Sequence, residues 1–159
     1  NYLNKVSEGR LSSESKLEIR GMLREVTEIE SIGDSCYNLA RTINRKRSGG
    51  NDFTEKQYEH IHQMMQLTND ALAHMIAVVE DDHHVVDVNK SFNIENEINN
   101  YRAQLKNQNV VDVNNKEYDY QMGVHYMDII GECEKLGDYV VNVVEARTNV
   151  KEKKTGENR

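Results

Sequence analysis

Two acidic turns repeat within the chain and offer oxygen atoms at a regular spacing. Residues 28–38 align with residues 132–142, and the two segments share Glu, Glu, Gly, Asp and Asn at the same relative positions. In each copy the second Glu, the Asp and the Asn follow one another at four-residue steps. On a helix this spacing places the three side chains within about 80° of one another. The candidate ligands are therefore the carboxylates of Glu30, Asp34, Glu134 and Asp138, with Asn38 and Asn142 as supporting partners.

Carboxylates one helical turn apart repel each other, and a bound cation reverses that repulsion. Oxygen-only ligand sets suit Mg²⁺, Ca²⁺, Mn²⁺ or iron, whereas zinc more often recruits His or Cys. The repeat therefore predicts metal binding at the two acidic turns. The oxygen atoms of both turns would face a common cation or partner surface. Glu28 and Glu132 lie roughly 160° around the helix from the Glu that follows them, so they are left out of the predicted site.

A glycine precedes the Asp in each acidic turn, at Gly33 and Gly137. A glycine in the middle of a helix costs about 1 kcal/mol relative to alanine. Two such positions predict either close packing of a neighbour or open space beside a carboxylate.

Two other functions compete with a regulatory metal-binding domain. A carboxylate-bridged di-metal enzyme of the ferritin-like type would use a Glu-x-x-His step, which this sequence lacks. A helical scaffold with no bound ion is the second alternative. No spacing of Ser, His, Cys and Asp indicates a nucleophile, so we expect no enzymatic activity.

The elements that must position these residues are four long helices. Apolar residues recur at three- and four-residue steps over residues 13–47, from the capping box at Thr54 to Val79, over residues 92–105 and over residues 116–147. Gly49 and Gly50 are expected to end the first helix through a left-handed conformation. The absence of Pro and of alternating hairpin patterns favours an all-α antiparallel bundle.

The composition narrows the possible partners. The 159 residues carry a formal net charge of −7, which disfavours nucleic-acid binding because phosphate contacts need an excess of cations. Cys36 and Cys133 both fall within apolar helical patterns and are predicted to be core side chains.

The two acidic turns resemble the Glu/Asp-x-x-x-Asp signature of PhoU, a phosphate-uptake regulator built from tandem three-helix repeats. The resemblance is carried by two segments, Glu30-Ser31-Ile32-Gly33-Asp34 and Glu134-Lys135-Leu136-Gly137-Asp138, each followed by Asn. The sequence of residues 31–38 is most similar to the PhoU-like region of bacterial Na⁺/phosphate cotransporter family proteins.

This resemblance implies a single domain over residues 1–150, with a polar tail at 151–159. Residues 1–47 would be the end of a first repeat and residues 53–150 a complete second repeat. It also implies multinuclear metal binding by Glu30, Asp34, Glu134 and Asp138, with iron, Mg, Mn or Zn as the ion. The expected function is regulation of phosphate uptake on the cytoplasmic side of the inner membrane. The expected partners are the membrane portion of the same transporter and a second copy in a homodimer.

Overall fold

The computed structural model describes residue 2, residues 12–49 and residues 52–156, with side chains up to residue 148. Within these ranges the chain forms four helices and no strand: α1 (Ser13–Ser48), α2 (Glu55–Glu80), α3 (Asn89–Asn114) and α4 (Tyr120–Gly156). The predicted all-α bundle of about four long helices is confirmed.

The ends of the first two helices follow local hydrogen-bonding signals. The hydroxyl of Ser12 accepts a hydrogen bond from the Ser15 amide at 3.1 Å and caps α1. The predicted capping box of α2 is present, with reciprocal hydrogen bonds between Thr54 and Gln57. Helix α1 ends where predicted. Gly49 has φ −83° and is not left-handed, and Gly50, the second glycine of that prediction, lies outside the described residues.

Helix α3 continues beyond Leu105, the last residue of its apolar pattern, and ends at Asn114, within the Asn-rich stretch of residues 107–115. Helix α4 begins at Tyr120, where the side chain of Asp119 accepts a hydrogen bond from the Met122 amide at 2.7 Å. It continues to Gly156, beyond the end that the apolar pattern indicates.

Helix α4 is the centre of the fold. Among the described helices, α1 packs on α4 alone, whereas α2 and α3 pack on each other and on α4. The most deeply buried side chains of α4 are those of Ile129, Ile130, Cys133, Leu136, Val140, Val143 and Val144. The bundle is therefore a three-helix unit, α2–α3–α4, with α1 lying along another side of α4.

The face that α1 buries is narrower than its apolar pattern predicts. Ile32 is buried, with Leu39 and Ile43 half-buried against the core. The prediction that both cysteines are core side chains is correct for Cys133 and wrong for Cys36, which is exposed. The physical reason is that α1 has one neighbour among the described helices while its apolar residues cover two faces, so the described helices leave one face of α1 exposed.

Among the described residues, no helix combines the length and the apolar character that crossing a membrane would require.

Candidate metal site

The two acidic turns lie side by side because α1 and α4 run antiparallel. Two hydrogen bonds join them: Ser35 Oγ donates to Glu132 Oε2 at 3.1 Å, and Asn142 Nδ2 donates to Glu28 Oε2 at 3.2 Å. The carboxylates that face the neighbouring acidic turn are therefore those of Glu28 and Glu132. Both were left out of the predicted site.

A signal for this arrangement was present in the sequence. Glu28 is followed one turn later by Ile32, and Glu132 by Leu136, and both of these apolar residues are buried. A helix packs through its apolar stripe, so a Glu one turn before a buried Ile or Leu lies near the helix contact. The candidate ligands lie on other faces of the same helices.

Glu134 and Asp138 project from α4 toward α3. Arg102 of α3 forms an ion pair with Glu134, with Nε 2.6 Å from Oε2. Glu95, about two turns before Arg102 on α3, accepts a hydrogen bond from Asn99 Nδ2 at 2.6 Å. Three carboxylates and one guanidinium therefore lie near one another where α3 and α4 meet.

The charge at this contact affects the ionisation of Asp138. Asp138 is exposed on α4, but partial desolvation of its carboxyl group raises the pKa, and the negative charges of Glu134 and Glu95 raise the pKa further. The positive charge of Arg102 acts in the opposite direction without cancelling these effects. A carboxylate with an elevated pKa in an acidic surrounding is one that a bound cation would stabilise.

Glu30 and Asp34 lie on a different side of the molecule from Glu134 and Asp138. Both are exposed, and Glu30 lies about 180° around α1 from the centre of the face that contacts α4. The structure therefore brings together the two carboxylates of each acidic turn but not the two pairs. Each pair would have to bind its cation separately.

The two predicted supporting asparagines have different surroundings. Asn142 is half-buried and donates to Glu28 rather than to the nearby Asp138. Asn38 is exposed and lines a polar cleft of about 460 Å³ between α1 and α4. Arg41, Glu132 and Lys135 also line this cleft, which sequence reasoning did not anticipate.

The two glycines of the acidic turns differ in the space around them. A Cβ atom at Gly137 would lie 3.2 Å from Cδ1 of Ile98 in α3, so the glycine permits close contact between α3 and α4. A Cβ atom at Gly33 would meet nothing within 4 Å. One glycine therefore serves packing, and the other borders open space.

The number and type of the available side-chain ligands limit which metal ion the site can bind. No three His, Cys, Asp or Glu side chains among those that the structure describes are gathered closely enough to hold a metal ion on their own. The protein would supply Glu134 and Asp138, both oxygen donors, and solvent or another ligand would complete the coordination. This arrangement suits a cation that keeps part of its water shell, as Mg²⁺ does.

A comparison with known protein families gives a match that covers most of α2, all of α3 and much of α4. Residues 61–146, more than half of the chain, match the family model described as the PhoU domain. The chain belongs to the PhoU domain family. The matched range includes Glu134 and Asp138 but not Glu30 and Asp34. Comparisons with curated proteins and with solved structures gave no match.

Membership of the PhoU family confirms the resemblance predicted from the acidic turns. It indicates a role in phosphate-related regulation and fits a regulatory rather than a catalytic protein.

Proposed function

We propose that this PhoU domain regulates phosphate uptake by binding a divalent cation through Glu134 and Asp138. The observation that supports this most directly is the excess of negative charge where α3 and α4 meet. Among the described residues whose charges act on Asp138, Glu134 and Glu95 are negative and Arg102 alone is positive. A divalent ion would offset this excess and draw α3 and α4 together.

The chemistry of such an ion links it to phosphate. Mg²⁺ and ions of similar preference are held by one or two carboxylates and keep several waters, which phosphate oxygens can replace. A cation on Glu134 and Asp138 would therefore leave positions open for phosphate. Magnesium, manganese and iron fit the oxygen donors best, and zinc is the fourth candidate. Glu30 and Asp34 are proposed as a separate, more exposed cation site.

The membrane context of this proposal rests on the resemblance of residues 31–38. We place the domain on the cytoplasmic side of the inner membrane, as part of a Na⁺/phosphate cotransporter-like protein whose membrane portion is its partner. Cation or phosphate occupancy would alter helix packing and be sensed by that membrane portion. Membrane-spanning segments in the full reading frame would support this context, and a reading frame without any would oppose it.

Thermal unfolding in the presence of MnCl₂ tests metal binding directly. A ligand that binds only the folded state stabilises it by RT ln(1 + [L]/Kd), about 2.7 kcal/mol when the ion is at 100 times its Kd. The natural chain is expected to show this concentration-dependent stabilisation. The variants Glu134→Gln and Asp138→Asn are expected to lose most of it.

Asp82→Asn, in the exposed segment after α2, is the matched control, because it removes the same charge away from both proposed sites, and Asp34→Asn compares the other acidic turn. If Glu134 and Asp138 form the main site, Asp34→Asn retains most of the stabilisation. An equal manganese response in the natural chain and in Asp138→Asn would rule out the proposed ligands.

A further inference from the structure

The polar cleft beside Asn38 brings together positive charges from three helices. Arg41 of α1, Arg102 of α3 and Lys135 of α4 all line it, and its volume is about 460 Å³. Met127 is the apolar exception among the described side chains of the lining. Three cations that come from three separate helices and meet at one polar cavity indicate a site for an anion.

The positive charge of Arg41 is not balanced by any carboxylate that the structure describes. Arg41 is exposed, and it takes no part in the ion pairs found among the described residues. The dipole of α1 does not account for this cation either. That effect falls off within the last turn of a helix, and Arg41 lies seven residues before Ser48, where α1 ends.

Two carboxylates share the lining with the cations, and they differ in their surroundings. Both oxygens of Glu132 are engaged, because Oε2 accepts a hydrogen bond from Ser35 at 3.1 Å and Oε1 lies 3.4 Å from Lys135 Nζ. Asp128 is exposed and forms no ion pair within the described part of the chain. Its carboxylate can therefore accept a hydrogen bond from a ligand.

The side of α4 that forms the floor of the cleft is open at its centre. Asp128, Gly131, Glu132 and Lys135 all line the cleft and follow the spacing of one helix face. A Cβ atom at Gly131 would meet nothing within 4 Å. A ligand can therefore approach the backbone of α4 between the acceptor Asp128 and the cation Lys135.

Donors and an acceptor in one cleft favour an oxyanion that carries a proton. Guanidinium groups bind tetrahedral oxyanions through charge-assisted hydrogen bonds. Inorganic phosphate keeps at least one proton at neutral pH and can donate it in a hydrogen bond to a carboxylate. Sulfate keeps none, so its oxygens would face the oxygens of Asp128 without a proton between them. A site that hydrogen-bonds a ligand hydroxyl group rejects an analogue that lacks the group.

We propose that the polar cleft binds inorganic phosphate, with Arg41 as its main cationic ligand and Asp128 as the acceptor of the phosphate proton. The cleft is larger than the anion, which therefore keeps part of its water shell. This site uses side chains alone and does not depend on a cation at Glu134 and Asp138. Arg102 links the two sites, because its guanidinium also pairs with Glu134 at 2.6 Å.

Titration calorimetry of the protein in EDTA tests the proposal, with sodium phosphate and sodium sulfate compared at pH 7. Ionic strength is held constant, because salt screens exposed charges. We expect saturable phosphate binding that is about tenfold tighter than sulfate binding or better. Arg41→Gln is expected to weaken phosphate binding about tenfold, since a charge-assisted hydrogen bond is lost. Arg20→Gln removes the same charge at an exposed position about 32 Å away along α1, and it is the matched control.

Asp128→Asn separates a phosphate site from a merely basic surface. Removal of the carboxylate is expected to tighten sulfate binding and to abolish most of the preference for phosphate. A basic surface without a specific acceptor would instead bind both anions more tightly by the same factor. Asp82→Asn is the control for the change in net charge. Arg41 and Asp128 are both exposed, so thermal unfolding close to that of the natural chain is expected to show that the variants fold.

Three results would overturn the proposal: no saturable phosphate binding in EDTA, equal affinities for phosphate and sulfate, or equal phosphate affinities in Arg41→Gln and Arg20→Gln. Phosphate binding that requires MnCl₂ would also overturn it, and would support the cation at Glu134 and Asp138 instead. Phosphate binding in EDTA that persists in Asp138→Asn would support the polar cleft even if manganese binding were not observed.

Discussion

Asn142 and Glu28 are 114 positions apart, yet a hydrogen bond of 3.2 Å from Asn142 Nδ2 to Glu28 Oε2 joins them across the α1–α4 contact. Each residue belongs to one of the two acidic turns, and each was predicted to have another role or none. Together with the hydrogen bond from Ser35 to Glu132, this pair adds polar contacts to the apolar packing of α1 on α4. The acidic turns thus hold the two helices together in addition to presenting candidate ligands.

Replacement of Asn142 by Asp is expected to destabilise the protein by about 1–2 kcal/mol, because the donor is lost and a carboxylate faces Glu28. The free energy of unfolding from urea denaturation at pH 7 measures the effect. Asn69→Asp, an exposed substitution in the middle of α2, changes the net charge equally and should cost no more than about 0.5 kcal/mol. Equal effects of the two variants would show that the bond to Glu28 contributes nothing.

The glycines of the two acidic turns should respond in opposite ways to alanine. Gly33→Ala is expected to stabilise the natural chain by about 0.5–1 kcal/mol, since helix propensity improves and the new Cβ meets nothing within 4 Å. Gly137→Ala gains the same propensity but places Cβ 3.2 Å from Ile98, so its net effect should be near zero or destabilising. Thermal unfolding of the two variants side by side measures the difference, and stabilisation by Gly137→Ala equal to that by Gly33→Ala would contradict it.

The sequence was sufficient to predict the helices because their start signals and periodicity are local. The box formed by Thr54 and Gln57 is one example. Which apolar residues are buried depends instead on how many neighbours each helix has. Cys36 and Cys133 lie in similar patterns, but in the part of the chain that the structure describes α4 is surrounded by three helices and α1 contacts one.

The candidate site could be predicted in part for the same reason. Helical spacing alone brings Glu134 near Asp138, so the pair was predictable. Arg102 and Glu95 reach that pair from α3, and nothing in the spacing within α4 indicates which residues of another helix will be adjacent. Glu28 and Glu30 point to nearly opposite sides of α1, as helical spacing predicts, and Glu28 is the one that lies at the contact with α4.

Arg102 competes with a cation for Glu134, so its removal should separate stability from ion binding. Arg102→Gln is expected to lower the stability of the ion-free protein by about 0.5 kcal/mol, as for other partly exposed ion pairs. It should also tighten manganese binding by about tenfold, because one positive charge near a divalent ion is removed. Titration calorimetry with MnCl₂ measures the affinity, and Arg20→Gln on the exposed part of α1 is the control. Weaker manganese binding in Arg102→Gln than in the control would contradict the proposed site.

The ionisation of Asp138 should make the protein less stable as pH rises. Its pKa in the folded state is raised, by partial burial first and then by Glu134 and Glu95, so the folded protein keeps this proton when the unfolded chain has lost it. The stabilisation that this carboxyl group contributes is therefore lost as pH rises from its pKa in the unfolded chain to its higher pKa in the folded protein. Asp138→Asn is expected to stabilise the ion-free protein at pH 7 by about 0.3 kcal/mol, the size of a like-charge pair on one helix face.

Urea denaturation at pH 7 and at a pH below the usual range for Asp provides the test. The gain from Asp138→Asn should vanish at the lower pH, where the natural carboxyl group is protonated in both states. Asp82→Asn, in the exposed segment after α2, controls for the change in net charge. A gain that persists unchanged at low pH would exclude electrostatic repulsion as its cause.

His74 should act in the opposite direction, because its pKa in the folded protein is lowered. Burial is the main cause and the charge of Lys90 contributes, while Asp87 opposes them. The ring is 9% exposed and bonds through Nδ1 to the hydroxyl of Ser91 at 2.7 Å, beside the connection between α2 and α3. The unfolded chain therefore takes up a proton before the folded one, so stability falls as pH drops below the usual pKa of His. His74→Gln should make the unfolding free energy less dependent on pH between 7 and 5, and His62→Gln, at an exposed position of α2, is the matched control variant. Identical pH profiles for the natural chain and His74→Gln would mean that protonation of this ring is not coupled to unfolding.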